Sequence, residues 1–495
     1  MKIIKRIARR YHSAKSLYAI IGTGITLFYF TMQALACSTP ASPNSVKIKD
    51  GDKSVSKSVV SALATPKNEL YFPLSVERFY EKNDYKLVWV APDTIKTHVS
   101  DAMLLLDCVL HYGLSHKDYH PNDLTYDKLS ELRAMASKAD DPEKARFDVL
   151  LTDAMITFIN NLHYGKLNPD YLAAKIDSGN TGKFSAEALL EKALQQGEFM
   201  KVIESAQPAS KEYAGMQDHM RKLTGQYQAD CYEVPQEDIQ IMAINLERLR
   251  WINTDDQAYI QVNIPAFMLA FHLPDTVYQF KTIVGTQANP TPALQSTIGY
   301  FTTAPDWKVP QNIFVKELLP NALKDNTYLE KNHFAIYDTK GNYVQPDRFK
   351  LMMVRQSPEK YSARQSSGCD NALGLVVFRF PNVYDVYLHD TPEQQLFAKD
   401  ERDLSHGCIR VEHAEKLAGL LLKNDGAANK LKDLRNAMEQ YQTKTFKLKK
   451  AVPIKITYLT CEVKEGLLIT YKDIYGLDKS LKAALYEEKL ALTKE

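Results

Sequence analysis

Val383-Tyr384-Asp385-Val386-Tyr387-Leu388-His389-Asp390, followed after a polar stretch by Ser405-His406-Gly407-Cys408-Ile409-Arg410, sets the reading of the chain. Side chains of a strand point alternately to its two faces, so Val383, Asp385, Tyr387 and His389 are expected on one side of a strand that ends at the imidazole. A helix is expected from about 412 to 422, with Leu417, Leu420 and Leu421 on its buried face. Strand, loop and helix in this order bring a thiol and an imidazole together. A cysteine nucleophile needs that partner, because the thiolate is the reactive form and the free thiol has a pKa of ~8.5. Gly407 lets the backbone approach closely, which would aim the Gly407 and Cys408 amides at a developing oxyanion.

Outward from this stretch the period-two pattern continues. Ile260, Val262 and Ile264 alternate with Tyr259, Gln261 and Asn263, further short strands run to Gly285, and strand signals return at 375–380. Residues 305–375 interrupt with Pro, Asn, Lys and Gly, which predicts a lid inserted over a site. The tail at 453–471 reads as a hairpin. The N-terminal half is helical: Phe147, Leu151, Ala154, Phe158 and Leu162 recur at three and four, and Leu104, Leu105, Val109 and Tyr112 form a second stripe. The expected fold is α+β, with a helical scaffold domain at 69–235, a β-rich mixed-sheet catalytic domain at 255–435, and a C-terminal hairpin and helix at 436–495.

The first 36 residues carry six basic side chains and no acidic one, then a mostly apolar run at 17–32 and Ala34-Leu35-Ala36-Cys37. This is the order of a secretory signal, the apolar run being short of the ~20 residues of a spanning helix. Cleavage after Ala36 is the preferred reading, with an uncleaved anchor or a lipid on Cys37 as alternatives; residues 37–68, rich in Ser, Pro, Lys and Thr, read as a flexible linker. The expected location is the periplasm or cell envelope. The net charge is +2, with 25% charged and 45% hydrophobic residues, a balance that excludes a polytopic membrane protein and a disordered chain and gives no sign of a nucleic-acid partner. Six cysteines without a CxxC pair, and His111, His116 and His120 at spacings unlike a helical ligand pair, predict no metal and no cofactor.

The spacing from His389 to Cys408 and the sequence Ser-His-Gly-Cys-Ile-Arg resemble the signature of the L,D-transpeptidases, the YkuD-type cysteine enzymes of the bacterial cell wall. The resemblance extends to that family's large, scaffold-containing branch. Phe79-Tyr80, Tyr85, Trp89, Gly113-Leu114, Asp118-Tyr119, Gly165-Lys166 and Asn168-Pro169 look like its scaffold, and Asn245-Leu246-Glu247-Arg248 like the approach to its catalytic region. The stretch 285–292, Trp307, Asn371-Ala372-Leu373-Gly374, Tyr387-Leu388-His389-Asp390-Thr391-Pro392 and Asp473-Ile474-Tyr475-Gly476 continue the match. The resemblance implies that Cys408 attacks a tetrapeptide stem of peptidoglycan, releasing D-Ala, and that the thioacyl-enzyme passes to an amine to make a 3→3 cross-link. His389 would be general base and acid, Asp390 would orient it, more through its backbone carbonyl than its carboxylate, and Gly407 would supply the oxyanion amide. His406, Arg410, Tyr387 and Trp307 would bind substrate.

Two features depart from that branch. Residues 200–235 leave little room for a peptidoglycan-binding module, and Cys369 sits in an unusual Ser366-Ser367-Gly368-Cys369-Asp370 stretch of the lid. Sortase chemistry at Cys461 fails because no arginine follows it, and a papain fold fails because His389 precedes Cys408. An L,D-carboxypeptidase or endopeptidase working through the same intermediate stays open, as does a non-catalytic wall-binding scaffold.

Overall fold

The computed structural model describes residues 57–64, 70–91, 96–134, 141–182, 184–226, 236–252, 256–325 and 327–486. The signal segment, Cys37, most of the linker and Cys231 lie outside the described residues. No helix among the described residues is long and apolar enough to cross a membrane. The chain has a helical N-terminal region and a β-rich C-terminal region, an α+β arrangement.

Two compact units are present, and they do not follow chain order. The first takes residues up to Ser100 with His120–Ile156 and Pro169–Glu191. Its design rests on buried carboxylates meeting backbone donors that would otherwise be unsatisfied. Asp153 accepts from the Tyr71 and Phe72 amides, and Asp177 from those of Leu74 and Ser75, at the start of the helix Pro73–Lys82. Asp148, fully buried in the helix Pro142–Tyr164, accepts from the Tyr80 hydroxyl at 2.6 Å and from the amides of Val88, Trp89 and Val90.

The second unit comprises Asp101–Tyr119, Thr157–Asn168 and Lys192–Glu495. Helical residues of the expected scaffold thus group with the β-rich part, held by the buried helix Gln236–Arg250. Arg250 donates to the Tyr112 carbonyl and the Tyr213 hydroxyl, Glu247 accepts from the Leu167 amide, and any Cβ at Gly113 would lie 2.8 Å from Ala243 Cα. Leu104, expected in a buried stripe with Leu105, Val109 and Tyr112, is exposed; at ~3.6 residues per turn Leu105, Val109 and Tyr112 fall on one line and Leu104 lies off it.

The strands of this unit are β1 (Tyr259–Asn263), β2 (Met268–Leu273), β3 (Thr276–Gly285), β4 (Leu294–Thr303), β5 (Trp307–Lys308), β6 (Phe334–Asp338), β7 (Tyr343–Val344), β8 (Tyr361–Gln365), β9 (Val376–Arg379), β10 (Leu388–His389), β11 (Asp403–Ser405), β12 (Ile409–Val411), β13 (Lys444–Thr457), β14 (Cys461–Lys464) and β15 (Leu467–Thr470). Nine of them pair in the order β11-β3-β12-β10-β9-β4-β13-β1-β2, and β2 pairs back onto β3, so the sheet closes on itself. Phe446, Phe301, Phe378, Leu388 and Ile409 stand in register across five neighbouring strands and all point into the core. The helix Ala414–Asn424 adds Leu417, Leu420 and Leu421 to the same core, as its spacing predicted. The expected hairpin at 453–471 is divided: Pro453 to Thr457 belong to β13 in the main sheet, and only β14 and β15 form a separate hairpin.

The insertion between β4 and β9 is itself folded. It holds the sheet β5-β8-β6-β7 and its own core of Val309, Phe314, Leu318, Leu351, Val354 and Ala363. The helix Arg348–Gln356 within it is capped by Asp347, whose carboxylate accepts from the Lys350 amide at 2.8 Å.

Candidate active site

β10 lies between β9 and β12, and this places His389. The imidazole is buried, and its Nδ1 lies 2.6 Å from the Asp390 carbonyl oxygen. A carbonyl only accepts, so Nδ1 carries the proton and Nε2 keeps its lone pair. Burial pushes the His389 pKa down to about 3, and the charges of Arg410 and Arg379 push the same way; the imidazole is neutral at physiological pH. The Asp390 carboxylate turns elsewhere: it accepts from the Leu375 amide at 2.8 Å and from Gln394, and burial raises its pKa. Gly374, at φ +59, makes room for it, since a Cβ there would fall 2.4 Å from Asp390 Oδ2.

β10 and β12 are parallel, with Leu388 opposite Ile409 and His389 opposite Arg410, and the Ile409 amide donates to the Tyr387 carbonyl. Cys408 therefore stands opposite Tyr387, and Tyr387, His389, Cys408 and Arg410 share the face away from the core. Neighbouring strands are ~4.8 Å apart and two residues advance ~6.6 Å, which sets the His389 and Cys408 Cα atoms roughly 8 Å apart. The thiol makes a long contact of 3.9 Å to the Asp385 carbonyl. Burial raises the Cys408 pKa, opposed by hydrogen bonds from Tyr387 and by the Arg379 charge. At rest this is a protonated thiol on the same face as a neutral imidazole.

The expected strand from Val383 begins only at Leu388. Asn382 holds a turn instead, its side-chain oxygen accepting from the Tyr384 and Val386 amides, and Asp385 takes φ +54. Val383 is accordingly exposed and does not share a face with His389.

The cysteine loop is fixed from both sides. The Ser405 hydroxyl donates to the Cys408 carbonyl and accepts from the Gly407 amide at 3.1 Å. The Gly407 amide is thus engaged and unavailable as the expected oxyanion donor, whereas the Cys408 amide has no hydrogen bond among the described residues. Gly407 itself takes φ +110. Thr291, missed by the sequence reading, clamps the loop: its hydroxyl donates to the Gly407 carbonyl at 2.8 Å and accepts from the Gly285 amide at 2.9 Å. Tyr475 completes the clamp by donating to the Gly285 carbonyl and accepting from the Thr291 amide.

The remaining candidates occupy the rim. His406 pairs through Nε2 with Glu317 of the insertion at 2.5 Å, and Arg410 pairs with Glu393. Glu393 was not picked out from the sequence, because nothing in its local spacing marks it. The Trp307 indole lies close enough to the Tyr387 hydroxyl to weigh on its ionisation, while burial raises the Tyr387 pKa well above that of a free phenol. Arg379 stacks over the Tyr387 ring at 4.7 Å. Of the other thiols, Cys461 is buried with its pKa pushed up to about 12, receiving a hydrogen bond from Asn245, and Cys369 is exposed. No group of three or more His, Cys, Asp or Glu side chains among the described residues is disposed to hold a metal ion.

Residues 257–432, which contain this arrangement, match the L,D-transpeptidase catalytic domain, and residues 75–220 match the scaffold domain. The chain carries an L,D-transpeptidase catalytic domain together with a scaffold domain. Over 246 residues it is 32% identical to a Haemophilus influenzae protein named "Putative L,D-transpeptidase", an overlap of 50% of this chain and 49% of that relative. The chain thus spans about half the length of the curated relative it matches.

Proposed function

We propose that this protein is a peptidoglycan L,D-transpeptidase that forms 3→3 cross-links. Cys408 Sγ attacks the carbonyl between the third residue of a tetrapeptide stem and its terminal D-Ala. His389 Nε2 takes the thiol proton and returns it to the departing D-Ala amine, leaving a thioacyl-enzyme. The Cys408 amide steadies the oxyanion. A side-chain amine of a second stem then displaces the thiol and closes the cross-link. Export to the cell envelope by the N-terminal segment would bring the enzyme to this substrate.

The observation that carries this reading is the register of β10 and β12: a neutral imidazole with its Nδ1 proton tied to Asp390 stands two residues along from a thiol on the same face. The test is mass spectrometry of tetrapeptide muropeptides incubated with the protein, beside a Cys408→Ala control. Loss of D-Ala with 3→3 dimers, absent from the control, is expected. Tripeptide without dimers would replace the transferase by a carboxypeptidase, and unchanged muropeptides would overturn both.

A further inference from the structure

The register that joins Cys408 to Tyr387 continues across the sheet. Tyr387 stands opposite Arg379 on β9, Arg379 opposite Tyr300 on β4, and Tyr300 opposite Lys447 on β13. Cross-strand partners share a face, so Cys408, Tyr387, Arg379, Tyr300 and Lys447 form one rank on the side away from the core. The parallel rank beside it is Arg410, His389, Val377, Thr302 and Thr445. At ~4.8 Å per strand the first rank runs roughly 19 Å from the nucleophile to Lys447, about the reach of six extended residues.

The far half of this track is open and unneutralised. Tyr300 is 39% exposed and Lys447 is exposed. Neither Arg379 nor Lys447 has a carboxylate partner among the described residues, in contrast to Arg410 with Glu393 and Lys444 with Asp433. Arg379 stacks on Tyr387, which holds a planar two-pronged donor between the nucleophile and the exposed ring of Tyr300. Two free cations on either side of an exposed aromatic ring fit a peptide that carries more than one carboxylate.

We propose that Arg379, Tyr300 and Lys447 form a carboxylate-binding subsite that extends the cysteine site across the sheet, Arg379 taking the stem-peptide carboxylate nearest the scissile bond and Lys447 one farther along. This rests on the functional reading above, because the ligand is the peptide stem. Tyr300 supplies the floor on which the intervening backbone lies. The carboxylate near the scissile bond could be that of the terminal D-Ala or that on the side chain of the third residue; the chemistry is shared and the probes below separate the two.

Binding is measured by calorimetry on the full-length Cys408→Ala protein, which cannot turn over, with three tetrapeptides: the free acid, the terminal amide, and the peptide amidated on the third residue's side-chain carboxylate. Arg379→Met is expected to weaken the free acid ~10-fold or more, as loss of a charge-assisted pair implies. It should leave unchanged the affinity of whichever amide lacks the recognised carboxylate. Lys447→Met should weaken all three peptides by a similar factor. In the Cys408-intact enzyme Arg379→Met should raise KM. Equal losses on the free acid and both amides, or no loss on any, would overturn the subsite while leaving the transpeptidase reading intact. No binding of any peptide to the parent would overturn the reading itself and the subsite with it. Near-UV circular dichroism of each variant identifies one that has simply failed to fold, and Arg379→Lys, which keeps the charge, should then recover part of the affinity.

Discussion

The buried neutral imidazole makes the catalytic region acid-sensitive by a calculable amount. In the unfolded chain His389 takes up a proton below pH ~6.5, whereas in the folded protein it resists protonation down to about 3. The unfolded state therefore binds more protons throughout that window. The stabilising contribution is complete above pH 6.5 and is lost progressively as the pH falls toward 3. At ~1.36 kcal/mol per unit, acidification from pH 7 to 5 costs about 2 kcal/mol. With a urea dependence of ~1–3 kcal/mol/M, this lowers the unfolding midpoint on the order of 1 M. His389→Asn keeps a donor for the Asp390 carbonyl but cannot ionise. Urea unfolding of both proteins at pH 7, 6 and 5, followed by fluorescence, isolates the effect, since groups common to both cancel. The midpoint of the wild type should fall by the stated amount more than that of the variant. Curves that stay parallel within ~0.5 kcal/mol would show that His389 titrates normally and would refute the burial argument.

Other outcomes follow from the loop and its supports. Thr291→Val removes a buried hydroxyl serving both Gly407 and Gly285, with an expected loss of about 2 kcal/mol and a fall in kcat at nearly constant KM; Thr291→Ser should restore both in steady-state assays and urea titrations. Gly374→Ala combines a left-handed φ with a clash against Asp390 and should cost about 2–4 kcal/mol, read from the urea midpoint. Because burial raises the Cys408 pKa, alkylation of that thiol by iodoacetamide, followed by peptide mass spectrometry, should still be accelerating as the pH passes 9. Glu317→Gln removes the charge from an exposed pair with His406 and should change stability by less than ~0.5 kcal/mol.

The candidate thiol and imidazole could be picked out because both stand in short stretches whose residues are marked by local sequence. The α+β class was legible too, since the periods of the helix at 142–164 and of β1 are long enough to register. Less visible were contacts between distant segments. Nothing in the stretch around Thr291 announces that its hydroxyl meets Gly407, 116 residues away, or that Tyr475 joins them. The closure of β2 onto β3 while β3 also serves β12 and β11 depends on three partners sharing one ten-residue strand, which no single-strand pattern encodes. The strand reading at 383–387 failed because alternation is equally met by a turn when an asparagine can hold two amides at once. The insertion looked patternless because its strands run to five residues at most and its longest helical stretch, 311–324, is broken by a π-helical turn at Phe314–Leu318 that shifts the period.

That insertion leaves and rejoins the sheet at the same point. Thr303 and Val376 are paired across β4 and β9, and the Ala304 amide donates to the Leu375 carbonyl at 2.8 Å, so its two ends meet as the ends of an ordinary tight turn would. With its own small sheet and apolar centre it is a self-contained graft on a hairpin. Lengthening, trimming or exchanging it would leave the register between β10 and β12 in place.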